Sequence, residues 1–219
     1  MSAERRRPPS RARAAVWAAD LGGTKIAAAR VTAGGRLSGY VTAPTPGAGG
    51  KAVVEQLAAL LAGLAARGGA RQAAVSVPGL ARPNGNVWAP NLRGWENMPL
   101  GRMLSRRLGL PVSIESDRNA FIAGEVWRGA ARGARDAILV AVGTGIGAGI
   151  WSGGRLLRGH AELAGSVGWM AVRHDYRPEY RRCGGLEFHA AGPGLERAAA
   201  ERLGQPVGGG ELVRRARRG

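Results

Sequence analysis

The feature that most constrains the fold is a pattern that occurs twice in this sequence: an apolar strand, a glycine-rich turn and a second strand. In the first copy, residues 16–19 and 26–31 are predicted strands on either side of the turn at residues 20–25. In the second copy, the corresponding segments are residues 138–142, 143–145 and 147–151. Two strands joined by a short glycine turn form a β-hairpin. The duplication therefore predicts two similar lobes that face one cleft.

Helices and strands alternate between the two copies. Residues 51–67 carry apolar side chains at helical spacing, namely Val53, Val54, Leu57, Leu60, Leu61 and Leu64. Further along the chain, residues 73–77 and 111–115 are predicted strands, and residues 100–108 and 119–128 are predicted helices. The alternation indicates an α/β fold. We expect a basic tail at residues 1–14, a first lobe at 15–112 and a second lobe at 113–219.

The two glycine turns are candidate phosphate sites. Successive backbone N–H groups converge in such turns and bind anions. Asp20 lies two residues before Gly22, at the start of the turn, which places a carboxylate where a hydrated Mg²⁺ could sit. A glycine turn alone is weak evidence, because most glycine turns serve only the backbone geometry.

Asp117 is the candidate general base. It lies between a predicted strand end and a predicted helix start, where a carboxylate is held rigidly. In phosphoryl transfer to an alcohol, a carboxylate aimed at the hydroxyl accepts its proton. On position alone, an N-cap role is the commoner explanation of such an aspartate, and only the surrounding motifs favour the general base.

Five motifs, in this order, resemble the ROK (repressor, open reading frame, kinase) family of sugar kinases. They are Asp20-Leu21-Gly22-Gly23-Thr24-Lys25, Val77-Pro78-Gly79, Ala89-Pro90-Asn91-Leu92-Arg93-Gly94-Trp95, Ser116-Asp117-Arg118-Asn119-Ala120 and Val142-Gly143-Thr144-Gly145-Ile146-Gly147. The resemblance implies the actin-like ATPase (ribonuclease H-like) fold, with two lobes around a cleft. It also implies ATP-dependent phosphorylation of a hexose or N-acetylhexosamine, with ATP and Mg²⁺ as cofactors.

The resemblance assigns roles to individual residues. The residues implied to bind the nucleotide are Asp20, Gly22, Gly23, Thr24, Lys25, Gly143, Thr144 and Gly145. Those implied to bind the sugar are Gly79, Asn91, Ser116, Ser166 and Glu187. Asp117 would be the catalytic base.

The sequence also departs from the family pattern. Ser116 stands where the family usually has Asn, and Ser166 and Trp169 replace a sugar-binding Glu and a zinc-binding His. We expect a changed hexose pocket, with Trp169 filling the vacated space by packing. Cys183 is the only cysteine where the family has three, so no metal is assigned and no structural zinc is expected.

Composition limits the remaining functions. The formal net charge is +17, but the basic residues are dispersed and almost all are arginine, so no nucleic-acid partner is expected. No apolar run is long enough to span a membrane, the N-terminus lacks the apolar segment of a secretory signal, and a single cysteine suits a reducing compartment. These features favour a cytoplasmic location, and a homodimer stays open.

The sequence is compatible with three functions. The first is a sugar kinase whose activity is impaired by truncation, since the similarity lacks the closing C-terminal part of the family. The second is a noncatalytic sugar- or nucleotide-binding protein. The third is a transcription regulator, which is disfavoured because only about fifteen residues precede the first strand, too few for the three helices of a DNA-binding domain at about 10 residues each.

Overall fold

The strand at residues 15–21 is central to the first of two units. The structure is a computed structural model that describes residues 15–90 and 92–218, so the predicted tail at 1–14 and the predicted sugar ligand Asn91 lie outside the described residues. The first unit ends at Ala120 and the second begins at Phe121. The strands of the first unit are β1 (Ala15–Leu21), β2 (Lys25–Thr32), β3 (Leu37–Pro44), β4 (Ala73–Val77), β5 (Leu80–Ala81), β6 (Val87–Trp88) and β7 (Val112–Ser116).

Five of these strands form one mixed sheet in the order β3-β2-β1-β4-β7. Strands β1, β2 and β3 are antiparallel neighbours, as the glycine turn and the hairpin pattern predicted. Strands β4 and β7 run parallel to β1, so the carboxyl ends of β1, β4 and β7 meet at one edge. The chain needs a crossover to place β4 parallel to its neighbour β1. Helix α1 (Gly50–Ala65), which lies between β3 and β4 in the sequence, forms this crossover.

The core of the first unit lies between this sheet and two helices. Alternate residues of β1 point to one face, and Trp17, Ala19 and Leu21 are all buried there. They share one apolar cluster with the buried stripe of α1, whose members are Val53, Val54, Leu57, Ala58, Leu61 and Leu64. Helix α2 (Leu100–Leu108) adds Leu100 and Leu104 to the same cluster and ends at Gly109 in the left-handed conformation, with φ of 64°.

Helix α3 (Asp117–Arg128) follows β7 without an intervening loop and begins two residues earlier than the predicted start at 119. The second unit then forms a three-stranded antiparallel sheet in the order β10-β9-β8. These strands are β8 (Ala137–Val142), β9 (Ile146–Ser152) and β10 (Arg155–Leu156). The second predicted hairpin is therefore confirmed.

Short helices follow this second sheet. They are two 3₁₀ turns (His160–Glu162 and Val167–Trp169), α4 (Tyr180–Cys183), α5 (Gly185–Ala190), α6 (Gly192–Leu203) and α7 (Gly209–Ala216). The predicted break near residue 192 occurs at Ala191, which has extended backbone between α5 and α6. No helix among the described residues has the length and apolarity needed to cross a membrane.

Candidate active site

Two polar side chains of neighbouring parallel strands are hydrogen-bonded at the carboxyl edge of the first sheet. Asp20 of β1 is in register with Ser76 of β4, and the Ser76 hydroxyl donates to Asp20 Oδ1 at 2.6 Å. Ligands of open α/β sheets bind at this edge, because loops and helix starts leave space there. The hydrogen bond fixes one carboxylate oxygen of Asp20 and leaves Oδ2 for another partner.

Asp117 lies at the same edge, immediately after the last residue of β7. Its Oδ1 accepts a hydrogen bond from the backbone N–H of Arg118 at 2.7 Å. Burial raises the pKa of Asp117 above its ordinary value; the N–H and the positive charge of Arg118 oppose the rise, and the negative charge of Asp20 adds to it. A carboxylate with a raised pKa is a stronger base near neutral pH.

The contact made by Asp117 differs from ordinary N-capping. An N-cap side chain accepts a hydrogen bond from the second or third residue after it, whereas the partner of Asp117 is the next residue. Asp117 is itself the first residue of α3, where its negative charge also suits the positive end of the helix dipole. The carboxylate thus contributes to the helix start without making the usual capping bond.

Glu115 and Asn119 support the strand-to-helix junction around Asp117. Glu115 Oε1 accepts hydrogen bonds from Asn119 Nδ2 and from the backbone N–H of Ser116, each at 3.0 Å. Ser116, the predicted sugar ligand, is only 1% exposed, and its Oγ has no hydrogen-bond partner among the described residues. An unsatisfied buried hydroxyl is costly, so this Oγ can gain from any polar group that reaches it.

The first glycine turn is held by the end of β3. Gly22 N–H donates to the Lys25 carbonyl at 2.9 Å, and Thr45 Oγ1 donates to the Gly22 carbonyl at 2.7 Å. A Cβ added to Gly22 would lie 2.9 Å from the Lys25 carbonyl oxygen, whereas one added to Gly23 would meet no atom within 4 Å. Gly23 and Thr24 are exposed, so their backbone is accessible to a ligand.

Gly79, another predicted sugar ligand, has a strong structural reason to be glycine. Its φ is +90°, and an added Cβ would overlap the Trp88 carbonyl oxygen. The residue therefore lets the β5–β6 hairpin approach the end of β4, whether or not a sugar binds there. The neighbouring motif residues Ala89, Leu92 and Trp95 are all buried.

The second glycine turn, in the second unit, is held by two helices instead of a strand end. Gly143 N–H donates to the Gly145 carbonyl at 2.9 Å, and Gly192 N–H at the start of α6 donates to the Gly143 carbonyl at 2.8 Å. Glu187 of α5 accepts a hydrogen bond from Ile146 N–H at 2.6 Å through its Oε2. A Cβ on Gly145 would lie 2.8 Å from that same oxygen, so the Glu187 carboxylate lies directly against the turn.

The surroundings of Ser166 correct one expectation. Gly165, with φ of +80°, allows a close approach to β9, and its carbonyl accepts from Ala148 N–H at 2.7 Å. The Ser166 carbonyl accepts from Trp169 N–H at 3.2 Å in the following 3₁₀ turn. Trp169 is 52% exposed, so the expectation that it fills the vacated space by packing was wrong.

A metal held entirely by protein side chains and a Mg²⁺ ion place different demands on the candidate ligands. Within the described residues, no group of three or more His, Cys, Asp or Glu side chains could hold a metal ion. His189, one of the three histidines, is hydrogen-bonded to the Tyr180 hydroxyl at 2.7 Å. Mg²⁺ has smaller needs, because it usually takes one or two carboxylates and completes its shell with water and phosphate. Asp20, whose Oδ2 is left for another partner, fits that requirement.

The sheet order and its carboxylate edge define the class of protein, and known structures agree with it. The ROK hexokinase of Thermus thermophilus superposes with a TM-score of 0.78 at 37% identity, over 94% of this chain and 70% of that one. The ROK family glucokinase of Streptomyces griseus, solved with glucose and AMPPNP, gives a TM-score of 0.75 at 31% identity, over 87% and 61% of the two chains. This chain therefore has the α/β actin-like ATPase fold of the sugar kinases.

The model of the ROK family matches residues 16–219, and the chain belongs to that family. The chain is 35% identical to the glucokinase of Thermotoga maritima, over 70% of this chain and 49% of that protein. It is 36% identical to the N-acetylmannosamine kinase of Escherichia fergusonii, over 85% and 64% of the two. The chain thus spans roughly half to two thirds of these relatives. A ROK family transcriptional regulator shares the fold at a TM-score of 0.74 and 19% identity, so the fold by itself does not decide the function.

Sequence reasoning missed the residues that hold the site in place. Ser76 and Thr45 belong to no motif, and their importance depends on which strands become neighbours. A polar residue near the end of a parallel strand was the available signal for Ser76. For Thr45 the signal was a hydroxyl just after the third strand of the meander.

Proposed function

We propose that this protein takes part in the ATP-dependent phosphorylation of a sugar hydroxyl, with a hexose or an N-acetylhexosamine as substrate. The observation that carries the proposal is the pair Asp20 and Asp117 at the carboxyl edge of the first sheet, with the pKa of Asp117 raised by burial and, to a lesser extent, by the Asp20 charge. Named relatives that include a glucokinase and an N-acetylmannosamine kinase support the substrate class.

In the proposed reaction, Asp117 accepts the proton of the attacking sugar hydroxyl. The sugar oxygen forms a bond to the γ-phosphorus, the bond between that phosphorus and the β–γ bridging oxygen breaks, and ADP leaves. The backbone N–H groups of residues 22–24 and 143–145 would bind phosphate oxygens, each turn being held by its own unit. Asp20 would hold Mg²⁺, which offsets the negative charge of the phosphates when it is bound.

The sugar contacts remain proposals. Asn91 and Ser166 would bind sugar hydroxyls, Gly79 would let the chain approach the sugar, and Ser116 would offer its unpaired Oγ. Glu187 would have to exchange or share its bond to Ile146 N–H in order to bind a hydroxyl. We also propose that the protein acts in the cytoplasm on small molecules and requires no zinc.

A panel of sugars, assayed by coupled ADP release, tests the proposal. A substrate should give sugar-dependent ADP formation, and Asp117→Asn should lower kcat by about 10²–10⁴ because asparagine cannot accept the proton. Ser113→Ala, on the exposed side of β7, is the matched control and should leave kcat unchanged. Sugar binding without ADP formation would favour the noncatalytic function instead. Normal turnover by a folded Asp117→Asn variant would remove Asp117 as the base.

A further inference from the structure

The second unit contains a cavity of about 330 Å³, and its lining includes no residue of either glycine turn. Its wall includes Arg173, Arg177, Arg197, Phe188, His189 and Glu201. Small-molecule sites occupy about 300–1,000 Å³, so this volume suits a small ligand. None of these residues belongs to the proposed kinase site, and the cavity therefore needs its own explanation.

Two of the arginines are ordered by one carboxylate. Arg173 Nε donates to Asp175 Oδ1 at 2.8 Å, and Arg177 Nε donates to Asp175 Oδ2 at 3.3 Å. The hydrogen bond from Arg173 lowers the pKa of Asp175 below its ordinary value, and that from Arg177 lowers it further, so the carboxylate stays charged. A guanidinium has five N–H donors, and each arginine uses only its Nε–H in these bonds. The terminal N–H groups of Arg173 and Arg177 are left for a ligand.

The third arginine is ordered by an aromatic ring and a backbone carbonyl. The Arg197 guanidinium carbon lies 4.1 Å from the centre of the Phe188 ring, and Arg197 Nη2 donates to the Phe188 carbonyl. The arginine therefore stacks on the aromatic face, an arrangement that Arg makes more readily than Lys. Since stacking and hydrogen bonding already restrict this side chain, a ligand would lose less entropy on binding it.

The charge of the lining identifies the class of ligand. The three arginines outnumber the single carboxylate of Glu201, and the group keeps a net positive charge when Asp175, which is paired with Arg173 and Arg177, is also counted. Guanidinium forks match phosphate oxygens and bind them through paired hydrogen bonds. A single carboxylate ligand offers two acceptor oxygens to three donors, whereas a phosphate group offers at least three.

We propose that this cavity binds a small phosphate-bearing anion, either a diphosphate or the phosphate group of a monoester. The site uses Arg173, Arg177 and Arg197 as donors and the Phe188 ring as the support for Arg197. The proposal is independent of kinase activity.

Isothermal titration of the full chain with pyrophosphate, at constant ionic strength, tests the proposal. The wild type should bind one equivalent, and Arg177→Gln and Arg197→Gln should each weaken binding about 10-fold or more, the value of a charge-assisted hydrogen bond. Arg177 is exposed, so its variant should fold even if the loss of the Phe188 contact harms Arg197→Gln. A parallel titration with glycerol 3-phosphate separates the two sources, since the tighter ligand identifies a diphosphate or a monoester.

Two controls separate this site from its alternatives. Arg181→Gln removes an exposed arginine that donates to the Tyr176 hydroxyl and does not line the cavity, so it should bind pyrophosphate as the wild type does. Competition by a single-stranded oligonucleotide is the second control. Equal losses for Arg181→Gln and Arg177→Gln would overturn the proposal. So would tighter binding of a single-stranded oligonucleotide that is lost in the same arginine variants.

Discussion

The strands β1 and β8 carry nearly the same local pattern but lie in different surroundings. Each ends one residue before a glycine turn, and each pairs with the following antiparallel strand up to that turn. In β1 the side chains of one face are buried, with Leu21 at 1% exposure. In β8 the matching face is open, with Ile138, Val140 and Val142 exposed by 68%, 55% and 58%.

The difference shows that the burial of a strand depends on its distant neighbours. Helix α1 covers the apolar face of β1, and β4 pairs with its open edge. Within the described residues, β8 is an edge strand of its sheet, and its exposed face has no comparable cover. The same contrast applies to chemistry, because the parallel neighbours of β1 bring Ser76 and Asp117 to the edge where Asp20 lies.

The largest expected effect concerns the packing of the two strands. Leu21→Ala should lower the free energy of unfolding by about 2–5 kcal/mol, since it removes a fully buried side chain from a packed core. Val142→Ala, at the matching position of β8, should change it by less than about 0.5 kcal/mol. Denaturant unfolding followed by far-ultraviolet circular dichroism measures both. Similar losses would mean that the face of β8 is covered in solution.

A smaller effect distinguishes how the two glycine turns are held. Gly22→Ala should cost about 1–3 kcal/mol, because the added Cβ meets the Lys25 backbone carbonyl, which cannot move independently. Gly145→Ala meets instead the end of the Glu187 side chain. A double-mutant cycle with Glu187→Ala should therefore show a coupling of about 0.5–3 kcal/mol for Gly145 and none for Gly22. Coupling of the same size at both glycines would contradict the assigned contacts.

The smallest effect is an opposite pH dependence in the two units. The pKa of Asp117 is raised, so its contribution to stability is present below the unfolded-state pKa and is lost as the pH rises through the folded-state pKa. Asp117→Asn should therefore gain stability relative to the wild type as the pH rises to neutrality. The pKa of Asp175 is lowered, so its contribution is present above the unfolded-state pKa and is lost as the pH falls.

Asp175→Asn should accordingly be less stable than the wild type at neutral pH, and the difference should disappear in acid. Thermal unfolding of both variants and the wild type between about pH 3 and 7, a range that covers ordinary Asp titration, measures the two trends. Trends of the same sign would show that the two carboxylates lie in similar surroundings.

The sequence predicted those parts of the fold that depend on local pattern. Helix α1 follows from the spacing of Val53, Leu57, Leu61 and Leu64, and both hairpins follow from strands that flank glycine turns. The open face of β8 could not be predicted, because the alternation of apolar residues is the same whether or not another layer covers it. The exposure of Trp169 escaped prediction for the same reason, since the side chain alone does not say what packs on it.

The candidate site was predictable where motifs mark it and hidden where tertiary contacts build it. Asp20 and Asp117 were identified because each stands next to a recognisable turn or helix start. Ser76 and Thr45 were not, because their hydrogen bonds to Asp20 and Gly22 join positions that are distant in sequence. Strand order is what brings these pairs together.

Carboxyl-carbon NMR titration of Asp117 measures whether the edge of the first sheet raises the pKa of this carboxylate. Asp117→Asn assigns the resonance, and Asp175 of the second unit serves as the internal comparison. We expect a pKa for Asp117 above the ordinary value of about 3.9, a decrease in that pKa when Asp20→Asn removes the neighbouring charge, and a pKa for Asp175 below the ordinary value. An Asp117 pKa at or below that of Asp175, unchanged by Asp20→Asn, would contradict the assignment of Asp117 as a base whose pKa is tuned at the edge of the first sheet.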